Sequence, residues 1–168
     1  MARVRLALHV ALVLLVGSIG MASAVGGVPS APLPEPAAAV TWPPSEVLVA
    51  EVVTGGAAAS DEYVELTNAG SGPVDLLGLE LVYVTASGST VTRKAAWSAT
   101  TLLAPGAHLL IANAGGVHAV VADATYTGGF AATGGALVLR PIGGAPVDAV
   151  GWGDATNAVV EGSPAAAP

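Results

Sequence analysis

From Glu46 onward, apolar and polar residues alternate with a period of two. Val47, Val49 and Glu51 alternate with Leu48, Ala50 and Val52, and both sets are largely apolar. That pattern predicts a strand covered on both sides. Thr54-Gly55-Gly56 breaks it, and Ala57 to Ser60 reads as a loop. Tyr63 to Asn68 is a second strand, with Val64 and Leu66 on one face and Tyr63, Glu65 and Thr67 on the other. Glu62 and Glu65 are expected on its wet side. Ala69 to Pro73 is a turn, and Val74 to Leu76 a short strand. In Leu79 to Thr85, Leu79, Leu81, Tyr83 and Thr85 share one face, and Glu80, Val82 and Val84 the other. Ser87-Gly88-Ser89 is a hairpin turn into Thr90 to Lys94. Leu103-Ala104-Pro105-Gly106 has Pro and Gly in type II order and launches His108 to Ala112. Residues 113–135 are the least regular, with a short strand or helix at Val117 to Ala122. Ala136 to Arg140, a Gly143-Gly144 turn and Val147 to Trp152 complete the series.

Short strands with Gly/Pro punctuation, and no amphipathic helix, predict an all-β, immunoglobulin-like β-sandwich. Its expected core holds Val64, Leu66, Leu81, Leu110, Leu137, Leu139 and Val150. Trp97 is expected to plug one end, and Trp152 and Tyr63 to pack at the core edge.

The first 45 residues follow other rules. Arg3 and Arg5 precede an apolar run from Leu6 to Val16, then Gly17, Ser18, Gly20 and the small-residue sequence Ala22-Ser23-Ala24. This is the layout of a secretory signal peptide over residues 1–24, cleaved before Val25. The competing reading is an uncleaved N-terminal anchor. Residues 25–45 form a linker interrupted by Pro29, Pro32, Pro34, Pro36, Pro43 and Pro44. The domain then spans 46–162, and 163–168 is an Ala/Pro tail.

Charge narrows the partners. The full chain carries a net charge of −7. Beyond the leader, only Arg93, Lys94 and Arg140 stand against twelve acidic residues. Binding nucleic acid requires several Lys or Arg on phosphates, so that partner class is disfavoured, as is an anionic membrane surface. There is no cysteine, which removes disulfides, thiolate zinc sites and thiol chemistry. Abundant Gly, Ala and Val with few charges fits a GC-rich bacterial source.

Candidate chemistry is sparse. There is no Gly-x-Ser-x-Gly elbow and no phosphate-binding Gly-rich loop before a Lys. His108 and His118 lack the i, i+4 spacing of a helical metal pair. The carboxylates carry the one site hint. Glu51, Glu62, Glu65 and Asp75 lie on neighbouring elements, and Asp148 and Asp154 flank the last strand. Asp61, Glu62 and Glu65 are the candidate calcium ligands, although no Asp-x-Asp-x-Asp-Gly loop is present. The ordinary reading of the same residues is a solvated acidic face that keeps the domain soluble. The seven aromatics are scattered singly along the chain, unlike a sugar-stacking cleft.

The ordered segments EVLVAEVV, DEYVELTN, GSGPVDLLGLEL, TLLAPGAHLLIA, GGALVLR and VDAVGWG resemble the bacterial lamin-tail domain over about residues 46–162. Family members usually carry Trp where Leu79 stands. They also continue past the Glu-Gly-x-Pro segment, so their last strand is expected to have no counterpart here. The resemblance implies a non-catalytic immunoglobulin-like module on secreted or surface proteins, often accompanying hydrolases, with no catalytic residue and no cofactor to carry over. The expectation is therefore a secreted or cell-surface module that binds, tethers or spaces against a protein or cell-envelope partner. Its alternatives are a calcium-dependent binding domain or the N-terminal tether of a larger secreted hydrolase.

Overall fold

The computed structural model describes residues 45–160 and 162–167. The signal peptide, nearly all of the linker and Trp42 lie outside the described residues. Ten strands are described: β1 Val47–Thr54, β2 Glu62–Asn68, β3 Val74–Asp75, β4 Leu79–Thr85, β5 Val91–Ala96, β6 Leu102–Leu103, β7 His108–Asn113, β8 Ala124–Tyr126, β9 Gly134–Pro141 and β10 Asp148–Gly153. The period-two signal is clearest in β2, where Glu62, Val64, Leu66 and Asn68 are buried and the residues between them are half-buried.

Two four-stranded sheets run in the orders β1-β2-β7-β8 and β10-β9-β4-β5, and β3 pairs with β6 at one end. The pairing is antiparallel except for β7 with β8. Val47, Val49, Val64, Leu66, Leu109 and Ile111 of the first sheet meet Leu81, Tyr83, Leu137, Leu139 and Trp152 of the second. Fully burying each such side chain contributes about 1.5–3 kcal/mol, so this layer holds the sandwich together. Trp97 closes one end, buried as expected.

Two expected core residues sit differently. Leu110 is half-buried, because the pairing of Leu66 with Leu109 and Val64 with Ile111 turns those two inward and Leu110 outward. Val150 is likewise half-buried, packed against the core rather than within it. The residues around 117 form a 3-10 turn, Val117–Val120, rather than a strand. The Ala/Pro tail docks: Ala165 bridges Trp152, and its carbonyl accepts the Gly153 amide at 2.8 Å.

The second sheet is buried on its outer face as well. Val82, Val84, Ala136, Val138 and Ala149 form a second cluster there, with Val159 packed against it. The segment after β10 is pinned across this face by the Thr156 amide on the Ala86 carbonyl and the Asn157 amide side chain on the Thr85 carbonyl.

Candidate functional site

Strand β5 carries an irregularity that moves a charged group inward. Opposite β4, Val82 faces Arg93 and Leu81 faces Ala95, so Lys94 is the extra residue of a β-bulge. A bulge breaks strict alternation and re-aims a side chain. Arg93 therefore stays on the outer face, and Lys94 turns into the interior at 6 % exposure.

The Lys94 ammonium lies 4.8 Å from the Tyr126 ring centre, 5.1 Å from Phe130 and 5.7 Å from Tyr83. Ring faces attract a cation at such distances. Its Nζ donates to the carbonyls of Gly129 at 3.1 Å and Thr127 at 3.4 Å. Burial pulls the Lys94 pKa down, and the nearby Glu62 charge opposes that shift only in part. The rings themselves associate: Tyr83, Phe130, Tyr126 and Trp152 form a chain of contacts with centres 5.1–6.2 Å apart. The aromatics that are scattered along the sequence are thus gathered in space.

Glu62 faces this cluster and is 2 % exposed. The expectation that it lies on the wet side of β2 is corrected. It is in phase with Val64 and Leu66, and the turn before β9 covers it. Its Oε1 accepts the Phe130 amide at 2.8 Å, and its Oε2 accepts the Asn113 side-chain amide at 3.1 Å. Burial, reinforced by the Glu62 charge, pushes the Tyr126 phenol far above its ordinary range.

The other proposed calcium ligands point elsewhere. Asp61 is buried, and it accepts the Ala58 amide at 2.8 Å and the Val117 amide at 3.1 Å. Those two bonds hold its carboxyl below the usual range. Glu65 stands on the outer face of the first sheet, 2.7 Å from His108 Nδ1. Its cross-strand partner is Glu51. Asp61, Glu62 and Glu65 thus serve a loop, the interior and the outer surface. Among the described residues, no three His, Asp or Glu side chains come together to hold a metal ion. His118 stacks edge-on against Tyr63 at 4.8 Å.

One pattern runs through the acidic residues. Asp61, Glu62, Asp75, Glu80, Asp123 and Asp148 each accept a backbone amide. Glu80 is the extreme case, at 2 % exposure with Arg93 Nε at 2.7 Å, Arg140 Nε at 2.9 Å and the Gly143 amide at 3.0 Å. Burial pushes its pKa up, and the amide and two guanidinium groups more than reverse that, leaving it low. Sequence reasoning missed both Lys94 and Glu80 as organising residues. For Glu80 the available signal was a charged residue on the apolar face of a period-two strand, shared with Val82 and Val84; Lys94 had none, because the bulge breaks the alternation.

A groove of about 900 Å³ runs along the edge where β5 and β8 approach each other. Arg93, Trp97, Leu102, His108, Asp123 and Thr125 are among the residues lining it.

Two antiparallel-dominated sheets packed face to face define an immunoglobulin-like sandwich. The family model for the lamin tail domain matches residues 41–154. The chain therefore belongs to the lamin tail domain family, a family of non-catalytic immunoglobulin-like modules. No curated protein matches it.

Proposed function

We propose that this protein is an exported, non-catalytic module that binds or tethers at the cell surface. The observation that carries the reading is the use of its carboxylates. Six of them hold the protein's own backbone amides, which leaves them building the scaffold rather than converging on a substrate. The leader-like N-terminus supports export. The three basic residues beyond it support a partner other than nucleic acid: Arg93 and Arg140 are engaged by Glu80, and Lys94 is buried. The open edge between β5 and β8 is where an extended partner segment would add, since unpaired strand edges offer amides and carbonyls to another chain.

Fractionation of the producing cells tests this. A chain beginning at Val25, found in the medium or the envelope, is expected. A chain retaining Met1 in the cytosol overturns export. Retention of the purified protein on isolated envelopes, weakened by Leu102→Lys in the groove, is expected for binding. Equal retention of both proteins would overturn that docking edge.

A further inference from the structure

The interior cluster holds the parts of a bond-forming reaction that the family reading does not use. Lys94 is an amine buried among Tyr83, Tyr126 and Phe130, and its pKa is lowered by that burial. Desolvation of this kind is how a lysine becomes a nucleophile, because the neutral amine carries the lone pair. Asn113, the last residue of β7, presents a side-chain amide to the same place. Its Oδ1 accepts the Gly115 amide at 3.0 Å, which polarises the carbonyl and would stabilise charge developing on that oxygen. Its Nδ2 donates to Glu62 Oε2 at 3.1 Å, so a carboxyl group already touches the nitrogen that would leave.

Lys94 and Asn113 also meet on one turn. Lys94 Nζ holds the carbonyls of Thr127 and Gly129, and Asn113 Nδ2 holds the carbonyl of Gly128 between them at 3.3 Å. Nucleophile, electrophile and proton carrier thus come from β5, β7 and β2, on both sheets, around one turn, with Lys94 and Glu62 buried and Asn113 half-buried. Closing Lys94 Nζ onto Asn113 Cγ from these two anchor points on one turn would remove most of the entropic barrier to a reaction between the two side chains.

We propose that Lys94 and Asn113 form an intramolecular amide cross-link, with Glu62 as the proton carrier. Lys94 and Glu62 are not in direct ion-pair contact, so a shift of the two side chains brings the ammonium proton to Glu62; the transfer leaves a neutral pair, which the apolar surroundings favour. Lys94 Nζ then attacks Asn113 Cγ, forming the new C–N bond. Glu62 delivers a proton to Nδ2 and takes one from Nζ, and the old Cγ–Nδ2 bond breaks with loss of ammonia. The departing ammonia takes the remaining proton from Glu62 and leaves as ammonium, so the primary amide and the lysine ammonium become a secondary amide and an ammonium ion, Glu62 returns to its carboxylate, and nothing is oxidised or reduced. The product ties β5 in the second sheet to β7 in the first, in a chain that has no cysteine for a disulfide. The proposal stands on the interior geometry alone and does not depend on export or tethering.

Intact mass spectrometry of the denatured full chain tests it, alongside Lys94→Arg and Glu62→Gln. The expected result is a wild-type chain lighter by one ammonia than its composition, and both variants at full mass. Tandem spectra should then show residues 94 and 113 joined. A wild-type chain at full composition mass overturns the proposal. So does an ammonia loss that persists in Lys94→Arg, since Asn113 cyclising on its own backbone would lose the same mass without the lysine.

Discussion

Glu80 shows what a single residue does in this protein. It sits on the outer face of β4 with two arginines and a backbone amide on its carboxylate. Replacing it by Gln keeps the size but removes the charge that both guanidinium groups meet. Because Arg93 is largely exposed and can be rehydrated, the cost is expected at about 2–3 kcal/mol rather than the larger loss of a fully buried pair. Urea unfolding of Glu80→Gln at neutral pH checks this. The sign with pH follows from the low folded pKa of Glu80. Its stabilisation is complete above the ordinary unfolded value of about 4.3 and is lost as pH falls through the folded value. The variant should lack that part of the acid limb. Asn68 is the uncharged counterpart. It is fully buried, its Nδ2 donates to the Gly72 and Leu103 carbonyls at 2.8 Å each, and its Oδ1 accepts the Gly70 amide. Asn68→Ala strands those groups and should cost about 2–3 kcal/mol in the same assay.

At the scale of elements, loops are latched to strands by side chains rather than by their own structure. The 3-10 turn Val117–Val120 has no buried residue of its own. It is held where Asp61 accepts the Val117 amide, and where Gly116 lies so close to the Ser60 carbonyl that a side chain there would collide with it. Asp61→Ala should therefore speed hydrogen exchange at the Val117 and Ala58 amides, while β2 and β7 amides remain protected. Uniform loss of protection across β2 and β7 would show that the loop is part of the global unit. The β5 bulge belongs to the same scale. It is a one-residue insertion that leaves Arg93 with Glu80 and sends Lys94 among the rings.

For the whole molecule, stability rests on two apolar layers, one between the sheets and one over the outer face of the second. Calcium is expected to add nothing to it. Asp61, Glu62 and Glu65 face three directions and already hold protein partners. Millimolar Ca²⁺, or chelator, should leave the melting temperature unchanged. A rise in proportion to the logarithm of Ca²⁺ would mean that a site exists and that these partners give way to it.

The sequence by itself determined the longer strands, most turns and the class of fold, but not the short β6 and β8, which exist only through their pairing with β3 and β7. Alternation and Gly/Pro breaks are local signals, and each is set by a few neighbouring residues. It also determined the acidic balance and the absence of thiols. Tertiary structure decided which charged residues lie inside. Glu62 and Glu65, three positions apart on one strand, ended on opposite faces, and the inner one is bonded by the turn carrying Phe130 and by Asn113 of β7. Lys94 entered the interior through a bulge, which depends on how two strands pair and leaves no local mark on either. Leu109 displaced Leu110 from the core for the same reason: alternation says that two faces exist, and only register says which one meets the other sheet.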